Sequence, residues 1–357
     1  CKDWLTNKVD RCVTGKVAQQ QTIGELQLPL SNCGVMALDF KGKKGVATAI
    51  GHSPIVGLIN PSKGSENSIA EALTNIIWTP LENGLESISL SANWMWPCNN
   101  LGENDRLYTA VNACANFATE LGINIPTGKD SLSMKQKYPE GDVLAPGTVI
   151  ISATAQCKDI TKTIVPCAIP FEGDIFYINL SSEKYMLGGS SLGQVLNKIG
   201  IEAPGINNVE GFKNTFNIIQ KLIFEEKLIS GHDISSGGMI ITLLEMCFPS
   251  RNVGMEINLN SLDEIDTIKL LFSENSGLIV QSKENLKDYF KSIEGIKCFN
   301  LGKVDSSGLL KIKNRNKNLN LDVSKYRDIW YSTSAALDTL QTKSDLAKSK
   351  FENYKNI

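Results

Sequence analysis

The stretch Gly231-His232-Asp233-Ile234-Ser235-Ser236-Gly237-Gly238 brings together a short carboxylate, two hydroxyls and a glycine pair. The chemistry this suits is the holding of a phosphate. Ser235 or Ser236 stands where a helix N-cap belongs. The start of a helix offers unpaired N–H groups and partial positive charge, and glycines without Cβ let an anion approach the main chain. Asp233 repels a bare phosphate but holds a cation that bridges to one, as Mg2+ does. An ordinary cap after a tight turn accounts for S-S-G-G equally well, so other stretches have to decide.

The elements around this stretch read as helices. Phe212 to Leu228 repeats apolar residues at Phe212, Phe216, Ile219, Leu222 and Ile223, and Met239 to Phe248 is apolar enough to be buried. In Ser65 to Trp78, Ile69, Leu73, Ile76 and Ile77 share a helical face. Glu71 and Asn75 stand one turn apart on the opposite face. They read either as a solvated surface or as an i, i+4 pair of hard oxygen ligands for one divalent cation. Asp105 to Leu121 is the clearest helix, with Gly122 as its C-cap. A short strand, Ile123 to Ile125, then leads to a loop, Thr127-Gly128-Lys129-Asp130-Ser131-Leu132-Ser133. Glycine, lysine and hydroxyls suit phosphate there, but the Walker spacing is absent and a P-loop NTPase is excluded. Ser87 to Asn93 and the β-branched run Thr148 to Cys157 read as strands.

A chain of 357 residues calls for two domains. Two prolines and a glycine between Pro166 and Gly173 mark the boundary, giving domains at 1–165 and 166–322 and a charged helical tail or linker at 323–357, whose last part reads as a linker or a mobile tail. Alternating strands and helices predict a layered α/β (α+β) fold. A formal net charge of −2 argues against nucleic-acid and membrane surfaces, which require a basic excess. Nine cysteines without a C-x-x-C pair read as reduced thiols in the cytoplasm. His52 and His232 are the only histidines, too few for a His-based zinc site.

Seven pieces in this order resemble the long, single-chain phosphoribosylformylglycinamidine synthases of purine biosynthesis. They are Asp10-Arg11-Cys12-Val13-Thr14-Gly15, Leu28-Pro29-Leu30, Ala70-Glu71-Ala72-Leu73-Thr74-Asn75, Ser91-Ala92-Asn93-Trp94-Met95, Gly128-Lys129-Asp130-Ser131-Leu132-Ser133-Met134, Gly231-His232-Asp233 with Ser235, and Phe272 with Glu274. The resemblance implies two domains similar to the N- and C-terminal domains of aminoimidazole ribonucleotide synthetase. It further implies that the chain is the second half of the synthetase region. Its expected partners are the first half and a glutaminase domain beyond the tail, with two-fold self-association of the piece as the substitute.

The implied activity of the whole protein is that of a carbon–nitrogen ligase with glutamine as amido donor, which converts formylglycinamide ribonucleotide and ATP to the amidine. The alternative for this piece is a nucleotide-binding module that holds ADP and Mg2+ without turnover. Carried over by motif, Lys2, Ser31 and Ser235 resemble nucleotide contacts, and Asn32, Glu71, Asn75 and Asp233 resemble magnesium ligands. Asn93, Lys129 and Ser131 resemble contacts to the ATP and ribonucleotide site shared with the first half. Two departures stand out. The family's Ala-Asp after Leu28-Pro29-Leu30 is Ser31-Asn32 here, so one ligand is a neutral amide, and the family's aspartate after Ser235 is Ser236.

Overall fold

The computed structural model describes residues 1, 3–6 and 15–356. Lys2 and most of the Asp10–Gly15 piece lie outside the described residues. The first part of the chain carries strands β1 (Val17–Gln19), β2 (Gly34–Ala37), β3 (Gly45–His52), β4 (Ser89–Met95), β5 (Asn124–Ser131), β6 (Lys135–Tyr138), β7 (Gly141–Leu144) and β8 (Thr148–Cys157). Six of them form one sheet in the order β1-β2-β3-β8-β4-β5, antiparallel throughout except for the β4–β5 pair, while β6 and β7 make a separate hairpin. After the short α1 (Asp3–Thr6), helices α2 (Pro54–Ile59), α3 (Pro61–Ile76) and α4 (Glu103–Leu121) belong to this part.

The period-2 alternation of β3 decides which face is covered. Ala47 and Ala49 are buried, whereas Thr48, Ile50 and His52 are exposed. On β8, Val149, Ile151, Ala153 and Ala155 are buried and Thr154 and Gln156 are exposed. The buried face packs on α3 through Ile69, Ala72, Leu73 and Ile76. The other face is open.

The second sheet contains β9 (Asp174–Asn179), β10 (Leu228–Asp233), β11 (Gly254–Asn258), β12 (Gly277–Ser282), β13 (Lys297–Asp305), β14 (Leu309–Asn314) and β15 (Lys317–Asp322), in the order β10-β12-β9-β13-β11-β14-β15. Its helices are α5 (Ser191–Val195), α6 (Val209–Phe224), α7 (Gly238–Cys247), α8 (Thr267–Phe272) and α9 (Lys287–Phe290), followed by α10 (Val323–Asp338) and α11 (Ser344–Asn353). Every residue of β12 is buried. Leu278 and Val280 face a core shared with α6 and the first sheet, and Ile279 faces a second core with Leu243 of α7.

The two sheets therefore enclose one continuous core, with α3, α4 and α6 between them. Gln220 of α6 secures it: Oε1 accepts from Leu81 N at 2.7 Å, and Nε2 donates to the carbonyls of Ile77 and Thr79. A buried amide with three partners costs nothing in unmet hydrogen bonds and fixes one docking register.

Five expectations change. The Phe212–Leu228 helix stops at Phe224, and Gly231-His232-Asp233 is the end of β10, a buried strand at the edge of the second sheet, rather than a turn. The cap of α7 is Gly237 at φ 98°, without a side-chain hydrogen bond, so neither Ser235 nor Ser236 caps it. The loop from Thr127 is instead the continuation of β5 as far as Ser131; as an edge strand paired only with β4, it needs no apolar alternation and shows none. The tail is packed, with Ala347 and Tyr354 buried.

Candidate functional site

A shallow cleft opens between α3 and the turn from β10 to α7, lined among others by His52, Glu71, Thr74, Ser235, Ser236 and Glu274. Two of the expected site residues, Glu71 and Ser235, meet in it. Glu71 comes from the face of α3 that turns past the end of β3. Its Oε2 accepts the His52 main-chain N–H at 2.8 Å, and one turn later Asn75 Nδ2 donates to the Ile50 carbonyl at 3.3 Å. The i, i+4 pair thus lies against the strand end instead of on a free surface.

Asp233 stands just ahead of the cleft-lining Ile234 and is only 2% exposed. Its Oδ1 lies 3.1 Å from His232 Nδ1, and His232 Nε2 lies 3.2 Å from Glu245 Oε2. Burial pulls the imidazole toward neutrality, but the hydrogen bonds and charges of the two carboxylates outweigh it and push its pKa up to about 9. The imidazolium therefore bridges β10 and α7, and Glu245 passes the contact on to α10 by accepting from Trp330 Nε1 at 2.7 Å.

Ser31 is half-buried, and its hydroxyl donates to the Cys33 carbonyl at 2.9 Å. The Nδ2 of Asn32 is buried without a hydrogen-bond partner. An amide N–H buried without an acceptor is costly.

Asn93, Lys129 and Ser131 form a second group. The register pairs His52 with Ile150, Ile150 with Asn93, and Asn93 with Lys129, so these four residues make one row across β3, β8, β4 and β5 on the open face. Lys129 Nζ donates to Ser131 Oγ at 2.6 Å.

Glu274 was legible only as part of a motif, with no role attached. One of its oxygens, Oε1, accepts the main-chain N–H of both Ser191 and Gly237 at 2.7 Å. These donors lie 83 and 37 residues away, a relation that spacing along the chain does not announce. Burial raises the carboxyl's pKa, against the opposing pull of the two amide bonds. Among the described residues no group of three or more His, Cys, Asp or Glu gathers as a ready metal cage, and no helix is long and apolar enough to cross a membrane.

Comparison with known proteins agrees with this architecture. Residues 1–156 match the family model described as the FGAR-AT PurM_N-like domain, and residues 180–313 match the C-terminal domain of AIR synthase related proteins. The probable phosphoribosylformylglycinamidine synthase of Arabidopsis thaliana, named chloroplastic/mitochondrial, is 40% identical over 99% of this chain and 25% of its own length. The Homo sapiens phosphoribosylformylglycinamidine synthase is 37% identical over 96% of this chain and 26% of its own. T. maritima PurL complexed with FGAR superposes with a TM-score of 0.62 at 13% identity, covering 83% of this chain and 48% of that one, a likeness of fold. The same protein complexed with ADP gives 0.61 at 12% identity, covering 82% and 45%. The chain belongs to the phosphoribosylformylglycinamidine synthase family and spans about a quarter of the length of the curated relatives it matches.

Proposed function

We propose that this chain is the second synthetase half of a phosphoribosylformylglycinamidine synthase, and that it holds ADP or ATP with Mg2+ in the cleft between α3 and the β10–α7 turn. The observation that carries the reading is the meeting of Glu71 and Ser235 in that cleft. The donor set fits a hard cation: Glu71 supplies a carboxylate, and Asn75 and Asn32 would supply neutral ligands through their side-chain oxygens. Mg2+ needs only one or two carboxylates when phosphate oxygens complete its shell, so the lack of an all-protein cage among the described residues suits it. Bound there, the ion neutralises phosphate charge. Ser235 donates its hydroxyl to the nucleotide, Asp233 acts from beneath the cleft, and Ser31 and Lys2 complete the contacts.

In the whole protein, ATP activates the amide oxygen of formylglycinamide ribonucleotide, and ammonia from glutamine displaces it to give the amidine. Asn93, Lys129 and Ser131 contact the substrates of that reaction across the open sheet face, which the first half covers. Exposed Thr48, Ile50 and Thr154 on the same face make it an incomplete wall, so this piece hydrolyses no ATP by itself. Without the first half, a second copy is the substitute occupant. The domains divide near residue 165, and the seven described cysteines from Cys33 to Cys298, all free thiols, suit a reducing compartment such as the cytoplasm.

Thermal unfolding with ADP in Mg2+ and then in EDTA tests the reading. A ligand at about 100 times its Kd adds about 2.7 kcal/mol. A magnesium-dependent rise in Tm that Glu71→Ala abolishes supports it, and identical melting in every condition overturns it. Measurable ATP turnover by the isolated chain would remove the claim that the piece is silent.

A further inference from the structure

The glycine turn before α7 looks from its sequence like a cradle for a free anion, yet its amide is already engaged. Glu274 Oε1 accepts from Gly237 N and from Ser191 N, each at 2.7 Å, and Glu274 lines the same cleft as Glu71. Among the described residues that line the cleft there are two carboxylates and no Lys or Arg. Gly238, next in the chain, has φ 73° and no room for a Cβ beside Leu271 and Phe272, so the turn cannot swing its amides elsewhere without moving α8. Two main-chain donors of the turn, Gly237 N and Gly238 N, are thus satisfied from within, the second by the Ser235 carbonyl, and the charge that the first faces is negative.

We infer that Glu274 makes this cleft selective for a nucleoside polyphosphate chelated by a divalent cation over the same anion bare. The inference rests on the nucleotide reading above and deepens it. A phosphate entering alone meets Glu71 and Glu274 together; one that brings a cation turns both carboxylates into favourable neighbours. Glu274 acts on the ligand's charge state, and the bond to the two amides fixes where that charge sits.

Titration calorimetry of the full chain tests this with ADP, and with pyrophosphate as the plain anion, each with Mg2+ and with EDTA. The wild type should bind ADP only with Mg2+. Glu274→Gln keeps an oxygen for the two amides and removes the charge, and should strengthen binding in EDTA by roughly tenfold, the scale of one charge interaction across a few ångströms. Glu274→Asp keeps the charge and should retain the wild-type discrimination; a purely structural role would move both variants alike. Equal affinity of the wild type with and without Mg2+, or a Glu274→Gln variant still unable to bind in EDTA, sinks the inference and leaves the nucleotide reading standing. A wild type that binds ADP in neither condition sinks both.

Discussion

Tyr331 of α10 and Tyr354, just past α11, stack face to face with ring centroids 4.4 Å apart and planes 2° from parallel. Phe351 joins the stack, Tyr331 Oη donates to buried Asp3 at 2.6 Å, and Tyr354 Oη donates to Asp328 at 2.5 Å. Arg327, one turn before Tyr331, donates to the carbonyls of Phe248 and Ser250 at the end of α7. The tail is thereby tied to both the chain start and the second core. Tyr354→Ala removes a nearly buried aromatic ring and should cost about 3 kcal/mol, read as a lowered urea midpoint. An unchanged midpoint would return this segment to the mobile linker that its charged sequence suggests.

Gly231 packs against the ring of buried Trp78, and a Cβ there would sit 2.1 Å from Cζ3. That leaves no space for even one methyl group at the seam between the two halves of the core. Gly231→Ala should destabilise by about 1–3 kcal/mol, the usual range for overpacking. In the Trp78→Phe background, where the smaller ring retreats, the same change should cost measurably less. Additive costs in the double variant would place the strain elsewhere.

Where one periodicity dominates, the sequence reading and the structure agree: Thr148–Cys157 is β8 residue for residue, and α4 ends on Gly122 at φ 76° as its cap requires. The family motifs led to Glu71 and Ser235, which share the cleft. What stayed hidden was set by tertiary partners. Leu228–Asp233 has no strand pattern because β10 is buried along nearly its whole length, and β5 has none because it lies at an edge. β15 went unseen for the same reason, its residues being exposed apart from Leu321. Glu245 gives no hint in the sequence that it faces His232, and the tail's aromatic residues lie too far apart to suggest a stack.

Glu66 gives the protein a pH dependence of defined sign. Burial is the main influence on its carboxyl; Glu183 and Glu120 add to it, Lys63 and the Ile206 amide oppose it, and the pKa is pushed up to about 7. An acid raised in the fold binds a proton that the unfolded chain has already released, so stability falls as pH rises from about 4.5, the unfolded value, through 7. Glu66→Gln keeps an acceptor for Ile206 N and removes the titration. It should match the wild type near pH 4.5 and melt higher at pH 8. A gap between the two proteins that is the same at both pH values would rule out Glu66 as the source.

Asn32 offers the sharpest test of where the cation goes. Its Nδ2 is buried and unpaired, and the resemblance in sequence makes this side chain an expected magnesium ligand. Asn32→Asp exchanges an amide N–H donor that lacks an acceptor for a carboxylate, and without metal a charge in this buried place is costly. The variant should therefore melt lower than the wild type in EDTA, by about 1–3 kcal/mol for an unsatisfied buried group. Mg2+ with ADP reverses the order if the side chain reaches the ion, because a carboxylate adds charge attraction that a neutral amide lacks. The expected result is a crossover: a less stable protein in EDTA, and a larger Tm rise with a lower Mg2+ midpoint when nucleotide is present. An equal Mg2+ response in both proteins would mean that Asn32 lies outside the ion's shell, leaving Glu71 and Asn75 as the ligands from this side of the cleft.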